Sequence, residues 1–511
     1  MADEVELKLA LPDSAQRPLL KHPLLNHAAS RKTERLLNLY YDTPDQALRR
    51  HGIALRLRRQ GRRWLQTVKC AGRSAAGLSS RPEWETPYGG HFDFSAVDDE
   101  AVRAWLERDR ILGRLAPVFE TSFQRTTWRF EPVPGDALLL AFDRGWIAAA
   151  GRREAISELE IEIGHGDAGQ VFALARALAQ RVCLTPALLS KAERGYRLFE
   201  NAPSAPVHAG DIALEPGMAP LEGFRLIAIS CLEHLQHNHA GAADTDDPEY
   251  IHQMRVATRR LRAALRLFGP MLPENFADAL LPPLREHMRL LGAARDMDVL
   301  LDEIAAPVMA ALAAEPRLAA LVGVVTERRF RHRNAAKQAL RAAAFGQFIL
   351  LAGEALHRLP ARQTPAEPES LAAFAGRRVK RLHRKVRRLA DAAAADDPSS
   401  LHALRIGIKR LRYALEFFAP LTRGKRHRAR IAELAALQDA LGKINDLANA
   451  GRLLEECAGT DPRLREAVTL IGGWHAARYA ALLASVPGGV RRLHKLRLPK
   501  LLSSPRNREF P

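Results

Sequence analysis

Residues 250–268 (YIHQMRVATRRLRAALRLF) and 400–418 (SLHALRIGIKRLRYALEFF) align without a gap at an offset of 150. The matched pairs include His252/His402, Arg255/Arg405, Arg260/Arg410, Arg262/Arg412, Leu265/Leu415 and Phe268/Phe418, with Arg259 replaced by Lys409. LGAARDMDVL (291–300) and LGKINDLANA (441–450) repeat at the same offset. Two markers at one spacing predict two copies of one helical unit, packed as a pseudo-symmetric pair. His252, Arg255, Arg259, Arg262 and Arg266 recur at helical spacing, so they share one face. Ile251, Met254, Leu261, Leu265 and Phe268 fall on the opposite face, which can enter a core.

Charge follows the same division. The chain carries a net +19. Residues 1–200 hold 30 basic and 26 acidic side chains, 201–250 hold one and eight, and 251–511 hold 46 and 24. The surplus therefore belongs to the repeat, and a polyanion is the expected partner. Aromatic residues are 6% of the chain and do not interleave with the basic stripes, so a base-stacking platform is disfavoured. No helix-turn-helix, RNA-recognition or zinc-finger motif is present, and nucleic acid ranks below inorganic polyphosphate as a partner. The basic runs 328–333 and 377–388 offer extensions of the same surface.

Residues 1–200 read differently. Alternation of period two marks strands at Val5–Leu9, Ala54–Arg58, Trp64–Val68 and Ser157–Ile163. Glu4, Glu6 and Lys8 point to one strand face, as do Arg56 with Arg58, Glu83 with Glu85, and Glu158 with Glu160 and Glu162; Lys69 extends a further alternation. One such strand is an ordinary solvated face. Several acidic and basic strands in one small domain are consistent with a shared lumen, in which carboxylates hold divalent cations and the basic groups hold phosphate oxygens. Extensive cross-strand pairing is the alternative.

The ordered set resembles the CYTH, or triphosphate tunnel metalloenzyme, superfamily. It comprises Glu4-Val5-Glu6-Leu7-Lys8, Arg56-Leu57-Arg58, Lys69, Glu83-Trp84-Glu85, Arg125, Asp143 with Gly145, the Glu158–Glu162 strand and Ser190-Lys191 with Arg194. The resemblance implies a closed antiparallel β-tunnel binding triphosphate with Mg2+ or Mn2+. On that basis Glu4, Glu6, Glu158, Glu160 and Glu162 are the expected metal ligands, with Glu160 and Glu162 foremost among the last three. Lys8, Arg56, Arg58, Lys69, Arg125 and Lys191 are the expected phosphate clamp. Glu83, Glu85 and Asp143 are the expected tunnel acids, and Glu4, Glu6, Lys8 and Lys69 the expected catalytic set. The repeat resembles the CHAD domain, a helical module of two related bundles associated with polyphosphate. That resemblance implies polyphosphate contacts at His252, Arg255, Arg259, Arg260, Arg262, His402, Arg405, Lys409, Arg410 and Arg412.

The expectation is thus an α+β chain. A tunnel domain covers 1–200, a proline-rich linker 201–220, and a helical domain 221–495, split into halves 221–360 and 371–495 and followed by a tail, 496–511. The expected activity is hydrolysis of inorganic triphosphate. Rival readings are a non-catalytic polyphosphate- or nucleic-acid-binding protein and an enzyme acting on an organic triphosphate, by hydrolysis of thiamine triphosphate or a nucleoside triphosphate or by cyclisation of ATP. Four dispersed cysteines without a CxxC pair exclude a disulfide scaffold and a cysteine zinc site. No signal peptide or apolar run of membrane-spanning length is present, so a cytoplasmic location without membrane attachment is expected. The sequence assigns no oligomeric state.

Overall fold

The computed structural model describes residues 4–75, 77–132, 135–360, 369–394, 396–422 and 426–498, apart from the side chains of 4, 73–75 and 426–428. It divides into two compact units, Met1–Ala205 with Arg341–Arg358, and Pro206–Leu340 with Leu359–Pro511.

The first unit is built on antiparallel strands: β1 (Glu4–Ala10), β2 (Ser30–Asp42), β3 (Ile53–Gln60), β4 (Arg63–Cys70), β5 (Arg73–Ala75), β6 (Leu78–Arg81), β7 (Glu83–Pro87), β8 (Ala116–Phe130), β9 (Ala137–Ala149), β10 (Arg152–His165) and β11 (Thr185–Pro186). Their order is β5-β6-β1-β10-β9-β8-β2-β3-β4-β7, with β11 also pairing β1. β6 pairs β1 and β7 pairs β4, yet only Pro82 separates β6 from β7 in the chain. The sheet therefore curls until its two ends share one run of backbone. Pro82 has no N–H to continue a ladder, and its carbonyl accepts from the Cys70 amide instead, at 3.2 Å.

Strand alternation sorts the side chains of this curl. Leu7 and Leu9 of β1, Leu159 and Ile161 of β10, and Leu138, Leu140 and Phe142 of β9 face outward into one core, packed against Val171, Phe172, Ala175 and Leu178 of the Gly169–Ala179 helix. Glu6, Lys8, Glu160 and Glu162 take the opposite face. The burial of the apolar face holds the charged one in place.

The helix Ala343–His357 also belongs to this unit, although the sequence reading placed it in the first half of the helical domain. Phe345, Phe348, Ile349, Leu350 and Leu356 are all buried. A helix that is apolar nearly all round needs cover on every side, and Leu350 finds it in the core behind β1.

The second unit is helical. Helices Pro248–Phe268 and Phe276–Val299 of the first half start 150 residues before Pro398–Phe417 and Arg426–Ala458 of the second. Ile251, Met254, Leu261, Leu265 and Phe268 are buried, as the stripe pattern requires. Phe268 lies 4.9 Å from Phe374, 5.8 Å from Phe418 and 5.5 Å from Phe224, ring centre to ring centre. Phe224/Phe374 and Phe268/Phe418 both obey the repeat offset, so the pseudo-symmetry is packed around one aromatic cluster. A second core joins the halves, with Met297, Leu300, Leu321 and Val325 meeting Leu454, Cys457, Ala467 and Ile471. Among the described residues no single helix is long and apolar enough to cross a bilayer.

Candidate active site and basic face

The inward face of the curled sheet encloses a cavity of about 320 Å³. Its cationic lining is Lys8, Arg56, Arg58, Lys69, Arg81, Arg125 and Lys191; its acidic lining is Glu6, Glu83, Glu85, Glu160 and Glu162. Register explains the gathering. Lys8 lies opposite Glu160, Lys69 opposite Glu83, and Arg125 opposite Asp143, each pair sharing a face. The backbone of Glu4 lies opposite Arg81 in β1–β6, and its side chain lies outside the described residues.

Lys191 is delivered by the helix Lys191–Glu200. Ser190 and Glu193 form a capping box at its start. Gly195 lets the helix rest directly on the Phe119 ring, where any Cβ would collide. The Lys191 ammonium then contacts Asp143 at 2.7 Å, Glu160 at 2.9 Å, and Glu158. Arg125 clamps Asp143 through two bonds of 2.7 and 2.6 Å and also reaches Glu160. Arg194 holds Glu158 at 2.8 Å and Glu154 at 2.6 Å.

Asp143, Glu158 and Glu160 bring carboxylate oxygens within 4.8 Å of one another, close enough to share a cation. The Lys191 ammonium bonds all three, so this triad is first of all the lysine's seat. Of the expected metal ligands whose side chains are described, Glu6, Glu160 and Glu162 line the cavity, whereas Glu158 faces Lys191 and Arg194 and does not. Their hard oxygen donors suit Mg2+ or Mn2+, which commonly share phosphate oxygens.

Electrostatics agree with this sorting. Burial opposes ionisation of Glu160, but Lys191, Arg125 and Lys8 outweigh it and hold its carboxyl well below the usual range. Burial likewise opposes the charge on Lys191, and Asp143, Glu158 and Glu160 more than restore it. Arg58 is different. Burial, followed by Arg56 and Arg125, pushes its guanidinium down to about 10. It lies 3.8 Å from Glu85 and donates to Asn38 at 3.1 Å. A cation under that pressure favours an anionic ligand.

Glu83 holds Lys69 at 2.6 Å and Arg56 at 3.3 Å; Glu85 accepts from Thr67 at 3.0 Å. The two acids thereby orient the clamp. Arg81 escaped the sequence reading, yet it lines the cavity and binds Glu6 at 2.6 Å. Its signal was parity, since 81, 83 and 85 alternate inward across Pro82. A second cavity, of about 430 Å³, adjoins the first and shares Lys8, Lys69 and Arg81. Its remaining wall includes Gly52, Ile53, Ala71, Ala187, Leu188 and Tyr196.

In the helical unit, Arg255 and Arg259 of the first stripe and Arg405 of the second line one smaller cavity of about 160 Å³, with His252, Arg295 and Asp296. Arg255 reaches Asp296 at 2.7 Å. Burial, together with Arg259, Arg405, Arg255 and Arg412, pushes the Lys409 ammonium down to about 7. The Nε–H groups of Arg259, Arg260 and Arg262 are buried without an acceptor among the described residues. His402 bonds Asn445 at 3.0 Å, and Arg412 bonds Gln438 at 3.0 Å and Glu416 at 2.7 Å. Arg410 contributes its charge near Arg266.

The run 328–333 extends this face less than the sequence suggested. Arg329 and Arg333 turn inward to the fully buried Asp298, at 2.7 and 2.9 Å. Asp298 is the residue that the second copy replaces with Ala448, and its task is to anchor the Pro316–Arg341 helix. The 377–388 run keeps Arg377, Lys380, Arg381, Arg384, Lys385, Arg387 and Arg388 exposed on the Leu371–Asp391 helix.

The CYTH domain family matches residues 2–196 and the CHAD domain family residues 226–455. The solved CHAD domain from the plant Ricinus communis is 38% identical, with a TM-score of 0.51, covering 58% of this chain and 99% of that one. The inorganic triphosphatase of Haemophilus influenzae is 31% identical over 203 residues, 39% of this chain and 55% of that protein's length. An uncharacterized protein of Mycobacterium tuberculosis is 26% identical over 409 residues, 75% of each chain. The curled, charge-lined sheet and the paired basic bundles thus carry family identities, and the chain belongs to the CYTH and CHAD families, one domain of each in that order.

Proposed function

We propose that the CYTH domain hydrolyses inorganic triphosphate with Mg2+ or Mn2+ and that the CHAD domain binds inorganic polyphosphate. One observation carries the first part: among the described residues, seven cations and five carboxylates line a single cavity of about 320 Å³. A fully ionised triphosphate needs cations along its whole length, and Lys8, Arg56, Arg58, Lys69, Arg125 and Lys191 supply them. Glu6, Glu160 and Glu162, with Glu4 two residues before Glu6 on β1, would hold the metal. Bound there, it would neutralise phosphate charge and acidify a coordinated water. Phosphoryl transfer asks chiefly for positioning and charge stabilisation. Glu83 and Glu85 serve the positioning by holding Lys69, Arg56 and Thr67. The similarity to the Haemophilus influenzae inorganic triphosphatase supports the same substrate.

The test is phosphate release from tripolyphosphate by the full chain, with Mg2+, Mn2+ and Ca2+ each supplied alone. Metal-dependent release that Glu6→Gln and Lys8→Ala abolish is expected; release that survives both refutes the site. Support for polyphosphate in the CHAD domain comes from the two basic stripes meeting at Arg255, Arg259 and Arg405, with the Arg259 Nε–H buried there without an acceptor among the described residues. Easy displacement of polyphosphate by duplex DNA at moderate salt would remove that part.

The adjoining cavity of about 430 Å³ favours a second reading, an organic triphosphate whose head group occupies the less charged wall. Ala71→Trp, on the wall that only the adjoining cavity has, separates the two. It should raise KM for an organic triphosphate and leave tripolyphosphate unaffected if the second reading holds.

A further inference from the structure

The helix Ala343–His357 touches the sheet at one point where only a glycine fits. A Cβ on Gly346 would lie 2.8 Å from the carbonyl carbon of Leu184, and closer still to its oxygen. Backbone of that kind cannot swing aside as a side-chain tip can. The segment under pressure leads straight to the cavity. Leu184 precedes β11, whose Pro186 and Thr185 pair with Leu9 and Ala10 of β1. The next amide, Ala187 N–H, donates to the Lys8 carbonyl at 2.9 Å, and four residues later Lys191 opens its helix.

The helix is itself locked in place. Gln347 donates to the Ala179 carbonyl at 2.7 Å, the buried Glu354 binds Arg176, and Leu350 is fully buried behind β1.

We propose that Gly346 is a positioning residue for the triphosphate site, setting Lys8 and Lys191 through the Leu184–Lys191 segment. The phosphohydrolase reading matters only to the kinetic arm of its test. Gly346→Ala, made in the full chain, is compared with Val325→Ala, a stability control in the core of the second unit. Hydrogen exchange at the Ala187 amide should speed up by about tenfold or more in G346A, because local opening is set by local packing. Exchange across the β8–β9 ladder should stay near wild type. kcat/KM for tripolyphosphate should fall in folded G346A and hold in V325A. Should G346A fail to fold, Leu350→Ala loosens the same helix without the clash and should also quicken exchange at Ala187. Unchanged exchange at Ala187, or an equal rise in V325A, overturns the proposal. Faster exchange in a chain whose wild type releases no phosphate would leave the positioning intact and refute the assigned reaction instead.

Discussion

Lys191→Met is the most informative single change, because it removes the ammonium and keeps the side chain's length. In the folded chain Lys191 is 8% exposed, Asp143 0%, Glu158 7% and Glu160 13%, so the four groups meet largely out of water. Removing one partner from a buried ion pair costs roughly 3–5 kcal/mol, since the charge left behind stays buried. Here Arg125 still serves Asp143 and Glu160, and Arg194 still serves Glu158. The loss should therefore fall near the lower end, about 3 kcal/mol. For a unit of this size that lowers the melting temperature by roughly 6–12 °C.

The pH dependence sharpens the test. Glu160 is held below its ordinary value of 4.5, so its ion pairs stabilise the fold above that value and are lost as pH falls through the depressed one. In the variant Glu160, without the ammonium, takes up its proton at a higher pH than in the wild type. The stability gap should be full at pH 7 and narrow as pH falls through the ordinary carboxylate range. Calorimetry of full-length wild type and K191M at pH 7 and at about pH 4 measures both quantities. A gap under about 1 kcal/mol at neutral pH, the value typical of exposed pairs, refutes the account. So does a gap that ignores pH.

Other consequences follow from the helical unit. Burial and four neighbouring arginines hold Lys409 at about 7 in the free protein, and a polyanion that neutralises them restores its charge. Polyphosphate affinity should thus weaken as pH rises above 7, by up to about tenfold per pH unit for one linked proton, with Lys409→Arg abolishing the slope. Calorimetric titration from pH 6 to 9 checks it, and a flat wild-type profile refutes it. Asp298→Ala strands Arg333 and Arg329 and should cost roughly 3–5 kcal/mol in urea unfolding. Phe268→Ala, at the centre of the four-ring cluster, should cost a similar ~3–5 kcal/mol and loosen both halves together in hydrogen exchange.

Much of this chain is legible in one dimension, for a reason that particular residues make plain. Alternation around Leu7, Leu57 and Leu159 assigns Glu6, Arg56, Arg58, Glu158 and Glu160 to one sheet face, because successive strand side chains must point opposite ways. The repeat pairs Arg255 with Arg405 before any fold is known, because equal spacing on equal helices produces equal stripes. What the alternation leaves open is which charges meet across the sheet. Glu158 and Glu160 are equivalent along β10, and only their neighbours separate them: Glu160 faces the cavity while Glu158 turns to Lys191 and Arg194. Arg81 gains its role from pairing across to β1 and Asp298 from a helix some thirty residues further on.

Local pattern thus determined the faces, the repeat and the family of this protein, since those depend on spacing within one element. Tertiary structure alone decided the partners. It drew Ala343–His357 into the first unit, seated Lys191 among three carboxylates and set Lys409 beside four arginines, because ion pairs and burial depend on distance in space, which separation along the chain does not encode.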